Sequence, residues 1–421
     1  MNLENQAPEQ LKKLEAELSA AYAALQEENL NLDITRGKPS TDQVTLSDSL
    51  DGILEGNYIT DSGIDTRNYG HLRGIPETLE LGGNLLGVPS ENIITGGNSS
   101  LTLMYFIALF QHSFNTNEQA WKTLDKPTFI CPVPGYDRHF SICDSLDINM
   151  VTVPLTETGP DMDAVEHLIN TNDQIVGMWC VPHYSNPTGT TYSDETVARI
   201  AQLGTIAQPH FRVFWDNAYA VHTLEDQPQK LANIWEACKK HGTESSVWQF
   251  ASTSKISFAG SGVSWVASSA SNLEAFEKLL GVTTIGSDKV NQLRHHRLFP
   301  SIDALKTHMR KHANSLKAKF DTVLTTLHEE LEEYGNWTEA KGGYFVSFDS
   351  QPGLASNIVQ LAADAGLKLT PAGATYPYGN DPTDSNIRIA PSFPPLDELE
   401  QAMKVFTVCV KLATVQKILE T

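Results

Sequence analysis

Residues 174–220 read "QIVGMWCVPHYSNPTGTTYSDETVARIAQLGTIAQPHFRVFWDNAYA". An apolar run breaks at a Pro/Asn/Gly-rich turn, a helical stretch "DETVARIAQLG" follows, and a second apolar run, "FRVFWD", ends in polar residues. Strand, helix and strand in that order predict parallel strands with a covering helix. The same alternation continues outward. "ENIITGG" and "PTFICPVPGY" are further short apolar runs that stop at turn formers, with helical "SSLTLMYFIALFQH" and "MDAVEHLIN" between the runs. The expected fold class is α/β, a large domain with a mostly parallel sheet flanked by helices, plus a smaller α+β domain.

From about residue 300 the pattern changes to two long helices, "LKTHMRKHANSLKAKFDTVLTTLHEELEEYG" and "LDELEQAMKVFTVCVKLATVQKILE", around short strands "GGYFVSFD" and "NIRIAPS". Near the start, Leu11, Leu14, Leu18, Tyr22 and Leu25 recur at helical spacing before "NLDITRGKPS" breaks at Gly37 and Pro39. The expected division is 1–50 as an N-terminal arm and part of the small domain, 51–300 as the large domain, and 301–421 as the rest of the small domain. At 421 residues the chain is too long for one small core.

A net charge of −21 argues against nucleic acid or an anionic membrane surface as partner. No run is apolar enough to span a bilayer, and the N-terminus lacks a secretory pattern, so a cytoplasmic location is expected. Five cysteines without metal-ligand spacing read as buried thiols rather than as disulfides or a metal site.

In parallel sheets chemistry gathers at the carboxyl ends of strands. Those ends carry Gly97, Asn98 and Ser99, then Tyr136, Asn186 and Asp216. Lys255, in "QFASTSKISFAGSGVSW", is the only formally charged residue between Glu244 and Glu274. An ammonium withdrawn from water has a depressed pKa, which makes the amine available as a nucleophile toward a carbonyl. Asp216 is either a turn aspartate or a carboxylate aimed at a cationic ring nitrogen. "TGGNSS" is either a plain strand-to-helix turn or a phosphate site at a helix N-terminus. Arg388, inside an apolar run, calls for a carboxylate partner, the protein's own or a substrate's.

The ordered set of phosphate turn, Tyr136, "NPTG", "DNAY", "STSK" and a late strand arginine resembles the fold type I pyridoxal-phosphate aminotransferases. More narrowly, "LDITRGKPS", "RNYGHLRGI", "CPVPGYDRHFSI", "GPDMDAVE", "WDNAYAVHTL", "SKISFAGSGVS" and "DKVNQL" resemble the corynebacterial-type aspartate aminotransferases, close to MocR-like aminotransferase domains.

The resemblance implies pyridoxal 5'-phosphate in Schiff-base linkage with Lys255, which also moves the substrate proton. It places Asp216 on the pyridine nitrogen, Tyr219 and Asn186 on the 3′-oxygen, and Tyr136 on the ring face. Gly97, Asn98, Ser99 and Ser252 take the phosphate, with Tyr69 reaching it from the neighbouring subunit of a homodimer. Arg388 and Gly37 meet the substrate α-carboxylate. The implied reaction exchanges an amino group between aspartate and 2-oxoglutarate by a ping-pong route.

Two departures stand out. The family's phosphate-binding arginine, about eight residues after the lysine, is missing from "GVS", and Lys289 is the expected replacement cation. The arginine for a second substrate carboxylate also lacks a counterpart. Arg36 and Lys38 are the candidates, with Arg294 and Arg297 behind them. Relatives acting on alanine, aromatic amino acids or 2-aminoadipate, a lyase, and a non-catalytic regulator on the same fold are the alternatives. The regulator would need an N-terminal DNA-binding domain, and some thirty residues before "LDITRGKP" are too few for one. A nicotinamide-dependent dehydrogenase would need GxGxxG, which "TGGNSS" does not supply.

Overall fold

The computed structural model describes residues 7–115 and 118–420. Its centre is an eight-stranded sheet in the order Ile93–Thr95, Ser264–Ala267, Val247–Ser252, Arg212–Asp216, Ile175–Cys180, Thr128–Val133, Asn149–Thr156 and Gly159–Pro160. The strands from Val247–Ser252 to Asn149–Thr156 run parallel. Ser264–Ala267 and Gly159–Pro160 are antiparallel to their neighbours, so the expected mostly parallel sheet is a mixed one with antiparallel strands toward its edges.

The apolar runs are continuous because both faces of the sheet are covered. Successive residues point to opposite faces. Phe129, Trp179, Phe214, Trp248 and Phe250 pack together in one core cluster, and Ile130, Met178, Val213, Trp215 and Val247 in another. Each such aromatic, fully buried, contributes about 2–3 kcal/mol of burial free energy before entropy is counted. The helix Asp194–Ile206 starts where the Ser193 side chain accepts the amide of Thr196, and Val197, Ile200 and Ala201 join the second cluster.

A three-stranded antiparallel sheet, Gly335–Trp337, Val346–Ser350 and Asn386–Ile389, lies among the long helices Ile302–Leu331 and Leu396–Glu420. The N-terminal helix Pro8–Glu27 buries Leu11, Leu18 and Leu25, and Leu18 packs with Leu412 and Val415 of the last helix. Leu32–Asp33 then pairs in parallel with Leu367–Lys368, which brings "LDITRGKPS" alongside the three-stranded sheet. Residues 1–6 of the expected arm lie outside the described residues. All five cysteines are buried and free. Among the described residues no helix is long and apolar enough to cross a membrane.

Candidate active site

The strands ending at Thr95, Val133, Cys180, Asp216 and Ser252 all finish at one edge of the large sheet. The loops leaving that edge enclose a cavity of about 170 Å3. Lys255, Asp216, Tyr219, Tyr136, Asn186, Ser99, Ser252 and Gly37 all line it. Residues spread over more than two hundred positions of chain thus meet in one small space.

Lys255 follows the last residue of strand Val247–Ser252 by three positions. Its Nζ sits 4.7 Å from the centre of the Tyr219 ring. Burial lowers the pKa of the amine and the Asp216 charge opposes that shift. The Lys255 backbone is fixed from behind. Its carbonyl accepts the Tyr344 hydroxyl at 3.2 Å and lies 3.3 Å from His222 Nε2. Gln43 donates in turn to Tyr344 at 3.0 Å and contacts His312 Nδ1 at 3.1 Å. Burial drives His222 down to about 3 and His312 to about 4, so both imidazoles are neutral.

Asp216 is 2% exposed. Its Oδ2 lies 3.0 Å from His139 Nε2, and the His139 ring stacks on Trp179 at 4.2 Å. Its Oδ1 is buried with no hydrogen-bond partner among the described residues. A buried carboxylate oxygen left bare costs about 1–3 kcal/mol or more, so the position calls for a donor brought in from outside the chain. Burial raises Tyr219 well above the ordinary tyrosine value and Tyr136 to about 12, which keeps both phenols protonated as donors.

Arg388 lies in strand Asn386–Ile389 opposite Ser347. Its Nη1 donates to Asp137 at 3.1 Å and Asn186 Oδ1 at 3.3 Å, and its Nη2 to Thr370 at 3.4 Å. Nε is buried without a partner among the described residues. The chain's own carboxylate therefore occupies one corner of the guanidinium, not the bidentate edge that the sequence left open for it. By accepting from Arg388, Asn186 keeps its Nδ2 donor uncommitted. Gly37 is pressed onto Phe345, where any Cβ would collide with the ring, and the Arg388 guanidinium lies 4.8 Å from that same ring. A glycine is required there by close approach.

At the other end of the cavity, helix Ser100–Leu109 presents its first turn, and its N-cap Ser99 makes no side-chain cap. The amides of that turn stay available to an anion. Ser252 donates to Ser254 at 3.0 Å, and Ser254 to the Asn98 carbonyl at 2.8 Å. Gly97 and Asn98 are exposed beside the cavity, and the Asn98 amide is turned to the carbonyls of Ala259 and Gly260. Ser99 and Ser100 line the cavity itself.

Other expected residues lie outside the cavity within one chain. Tyr69 is 81% exposed. Lys289 is buried at the start of helix Lys289–Leu298, with its Nζ near Gly286. Gly286 in turn abuts the carbonyls of Gly70 and His71, so Tyr69 and Lys289 belong to adjoining segments. Arg36 and Lys38 are exposed on either side of Gly37, with Lys38 Nζ 3.7 Å over the Phe393 ring. Arg294 and Arg297 donate to the carbonyls of Leu50 and Ile59. Sequence reasoning missed His139, Ser100, Phe345, Thr370 and Asp137. None of these carried a signal of its own; His139 stands in a first helical turn beside charged Asp137 and Arg138.

Comparison with known proteins agrees with this geometry. The family described as aspartate amino-transferase matches residues 6–421. The chain belongs to that family. A protein of Corynebacterium glutamicum named aspartate aminotransferase is 43% identical over 421 residues, covering 99% of this chain and 97% of that one. A crystal structure of an aspartate transaminase from C. glutamicum superposes with a TM-score of 0.96 at 42% identity over 99% of both chains. An alpha-aminoadipate aminotransferase of Thermus thermophilus, solved with N-(5'-phosphopyridoxyl)-L-leucine, shares the fold at a TM-score of 0.74 and 18% identity, over 91% of this chain and 92% of that one. Within the aspartate aminotransferase family the fold is type I, and the catalysed reaction is amino-group transfer.

Proposed function

We propose that this aminotransferase exchanges the amino group of aspartate with 2-oxoglutarate, using pyridoxal 5'-phosphate held in the cavity around Lys255. The observation that carries the reading is the bare, buried Oδ1 of Asp216 in the same small cavity as a lysine amine of lowered pKa. The C. glutamicum relative's name supports aspartate as the donor.

The residues present fit the cofactor. Oδ1 of Asp216 accepts a protonated ring nitrogen, and His139 holds Oδ2 so that the carboxylate cannot turn away. The first turn of helix Ser100–Leu109, with Ser99, Ser252 and Ser254, takes a phosphate. Asn186 Nδ2 and the Tyr219 hydroxyl donate to the ring oxygen. When bound, pyridoxal phosphate supplies an aldehyde that receives the amino group and a cationic ring that draws electrons from the substrate Cα.

The chain's own part is positional and protonic. Lys255, once free, is the base that removes the Cα proton and returns it on the other side of the exchange. Burial lowers its pKa and so favours the neutral amine, and the Tyr344 and His222 contacts keep its backbone in place. Arg388 grips the α-carboxylate through its unpartnered Nε and the remaining N–H of Nη2, a charge-assisted fork that also fixes the Cα–H direction. Phe345 and Gly37 exclude water above it. Amino donor and oxo acceptor use one site in turn, so the kinetics are ping-pong.

The second carboxylate of a dicarboxylic substrate falls to Arg36 and Lys38, the cations flanking Gly37. The active form is a homodimer. Tyr69, Val282 and Ile285 are exposed apolar side chains on adjoining segments, a surface suited to a second copy. In that dimer Tyr69 reaches the partner's phosphate, and Lys289 supplies the cation that the missing arginine would have given.

An absorption spectrum of the purified protein tests the reading. A near-visible band that shifts on adding aspartate, and returns with 2-oxoglutarate, is the expected result. A band that ignores aspartate yet responds to alanine or 2-aminoadipate would move the substrate assignment. Borohydride reduction that leaves Lys255 unlabelled would remove the cofactor assignment.

A further inference from the structure

Strand Arg212–Asp216 and the turn after it have two sides. Asp216, Ala218 and Tyr219 face the catalytic cavity, whereas Trp215, Asn217 and Ala220 line a different cavity of about 730 Å3. Its walls are loop 221–234 and one side of helix Ile302–Leu331. That helix contributes Lys306, Arg310 and Lys317 at near-helical spacing, and the loop contributes Lys230. The acidic lining residues are Glu225 and Asp226, and Glu225 already lies 3.6 Å from Lys341. Among the described residues none of the four cations forms an ion pair. In a chain of net charge −21, a cavity with surplus uncompensated positive charge is a local reversal.

The inner end carries a second, independent sign. Gln249 lines the cavity at 2% exposure, and its buried Nε2 has no hydrogen-bond partner among the described residues. Buried amide donors are rarely left idle. Trp215, Leu231, Ile234 and Met309 add an apolar floor. A cavity of this size, with an apolar floor and polar and cationic walls, has room for a small polar molecule.

We propose that this cavity is a second ligand site, for a small organic phosphate, with its phosphate at Lys306 and Arg310 and its neutral part on Trp215 and Gln249. Two cations one helical turn apart, without counter-charge among the described residues, match a dianion better than a single carboxylate. The site shares Trp215 and Asn217 as chain neighbours with Asp216, so an occupant bears on the backbone that aims the catalytic carboxylate. The inference does not depend on the amino donor assigned above.

Isothermal titration calorimetry on protein loaded with pyridoxal phosphate tests it, because loading fills the catalytic phosphate position and is verified separately by absorbance. The probes are AMP, glucose 6-phosphate, inorganic phosphate, adenosine and glucose. The expected result is one site per chain for AMP or glucose 6-phosphate, at least about tenfold tighter than for inorganic phosphate or the neutral parent. Lys306→Ala combined with Arg310→Ala should weaken it a further tenfold or so, and Gln249→Leu should weaken the organic phosphate but not inorganic phosphate. Both cationic positions are exposed, so the double variant should fold and keep its basal turnover. Absence of binding by every probe would overturn the proposal. So would equal binding of inorganic phosphate (an adventitious ion only), or binding that survives the double variant but is lost in Ser252→Ala.

Discussion

Two cavities share one strand, and they differ in the way that separates catalysis from capture. The smaller one, about 170 Å3, has its key groups braced: the Lys255 carbonyl by Tyr344 and His222, Asp216 Oδ2 by His139, and Arg388 by Asp137, Asn186 and Thr370. Only chosen atoms are left free, Asp216 Oδ1 and Arg388 Nε among them. The other cavity, about 730 Å3, is lined by exposed cations that nothing orients. Preorganisation, which places donors before the reaction rather than during it, favours the smaller cavity as the catalytic one.

The comparison breaks first at Lys255. Replacing it with alanine should reduce turnover on the order of 10⁴-fold, while the cofactor stays bound by the phosphate turn and Asp216. A coupled assay of oxaloacetate formation, read beside the absorption spectrum, checks both parts. Retention of more than a few per cent of activity would show that the proton is moved by another group. Asp216→Asn comes next. It keeps the shape but removes the charge from the ring nitrogen, and should lower kcat by roughly 10²–10³-fold with weaker cofactor binding. Arg388→Lys should raise KM for amino acid and oxo acid alike by about 10–100-fold, since a point charge cannot replace the free fork. His139→Phe should cost about tenfold in kcat, because Asp216 loses the donor that fixes Oδ2. As a positioning residue, His139 should be partly rescued by Gln, which a purely steric role would not allow. None of these changes should disturb phosphate binding at the Trp215 side.

How much of this was legible in the chain depends on what each feature needed. Apolar runs ending in turn formers were enough to place Asp216 and Asn186 at one sheet edge, because in a covered parallel sheet strand ends are where polar residues can survive. Lys255 was legible by contrast, a charge alone among small residues. His139 was not, because its meaning lies in a 3.0 Å contact with a residue 77 positions away. Ser100 and Ser254 sat beside residues already named and differed from them only in direction. Arg388 was legible as needing a carboxylate, yet only the structure gives Asp137 one corner and leaves Nε without a partner among the described residues. The antiparallel strand Ser264–Ala267 was hidden in a stretch that reads as buried without a period of its own. The Trp215-side cavity was invisible because Lys306, Arg310 and Lys317 read as the solvated face of a helix, which by themselves they are.

The smallest expected effect tests the support behind Lys255 rather than Lys255 itself. His312 lies between Gln43 Nε2 and His308 Nε2, at 3.1 Å from each, and His308 Nε2 is 2.9 Å from the Ile256 carbonyl. Burial lowers His312 to about 4, against about 6.5 in an unfolded chain. Between those values the unfolded chain binds the extra proton and the folded one does not. The stabilisation is therefore complete above about pH 6.5 and is lost progressively as the pH falls toward 4. For His312 alone that is on the order of 1–2 kcal/mol between pH 7.5 and pH 5, and His308 and His222, lowered in the same direction, add to it. Thermal midpoints measured at the two pH values should show the wild type losing several degrees more than His312→Gln, whose amide cannot titrate. Equal losses in both proteins would mean that the acid sensitivity resides elsewhere, and that the imidazole pair is packing behind Ile256 rather than a charge-excluding brace for the catalytic backbone.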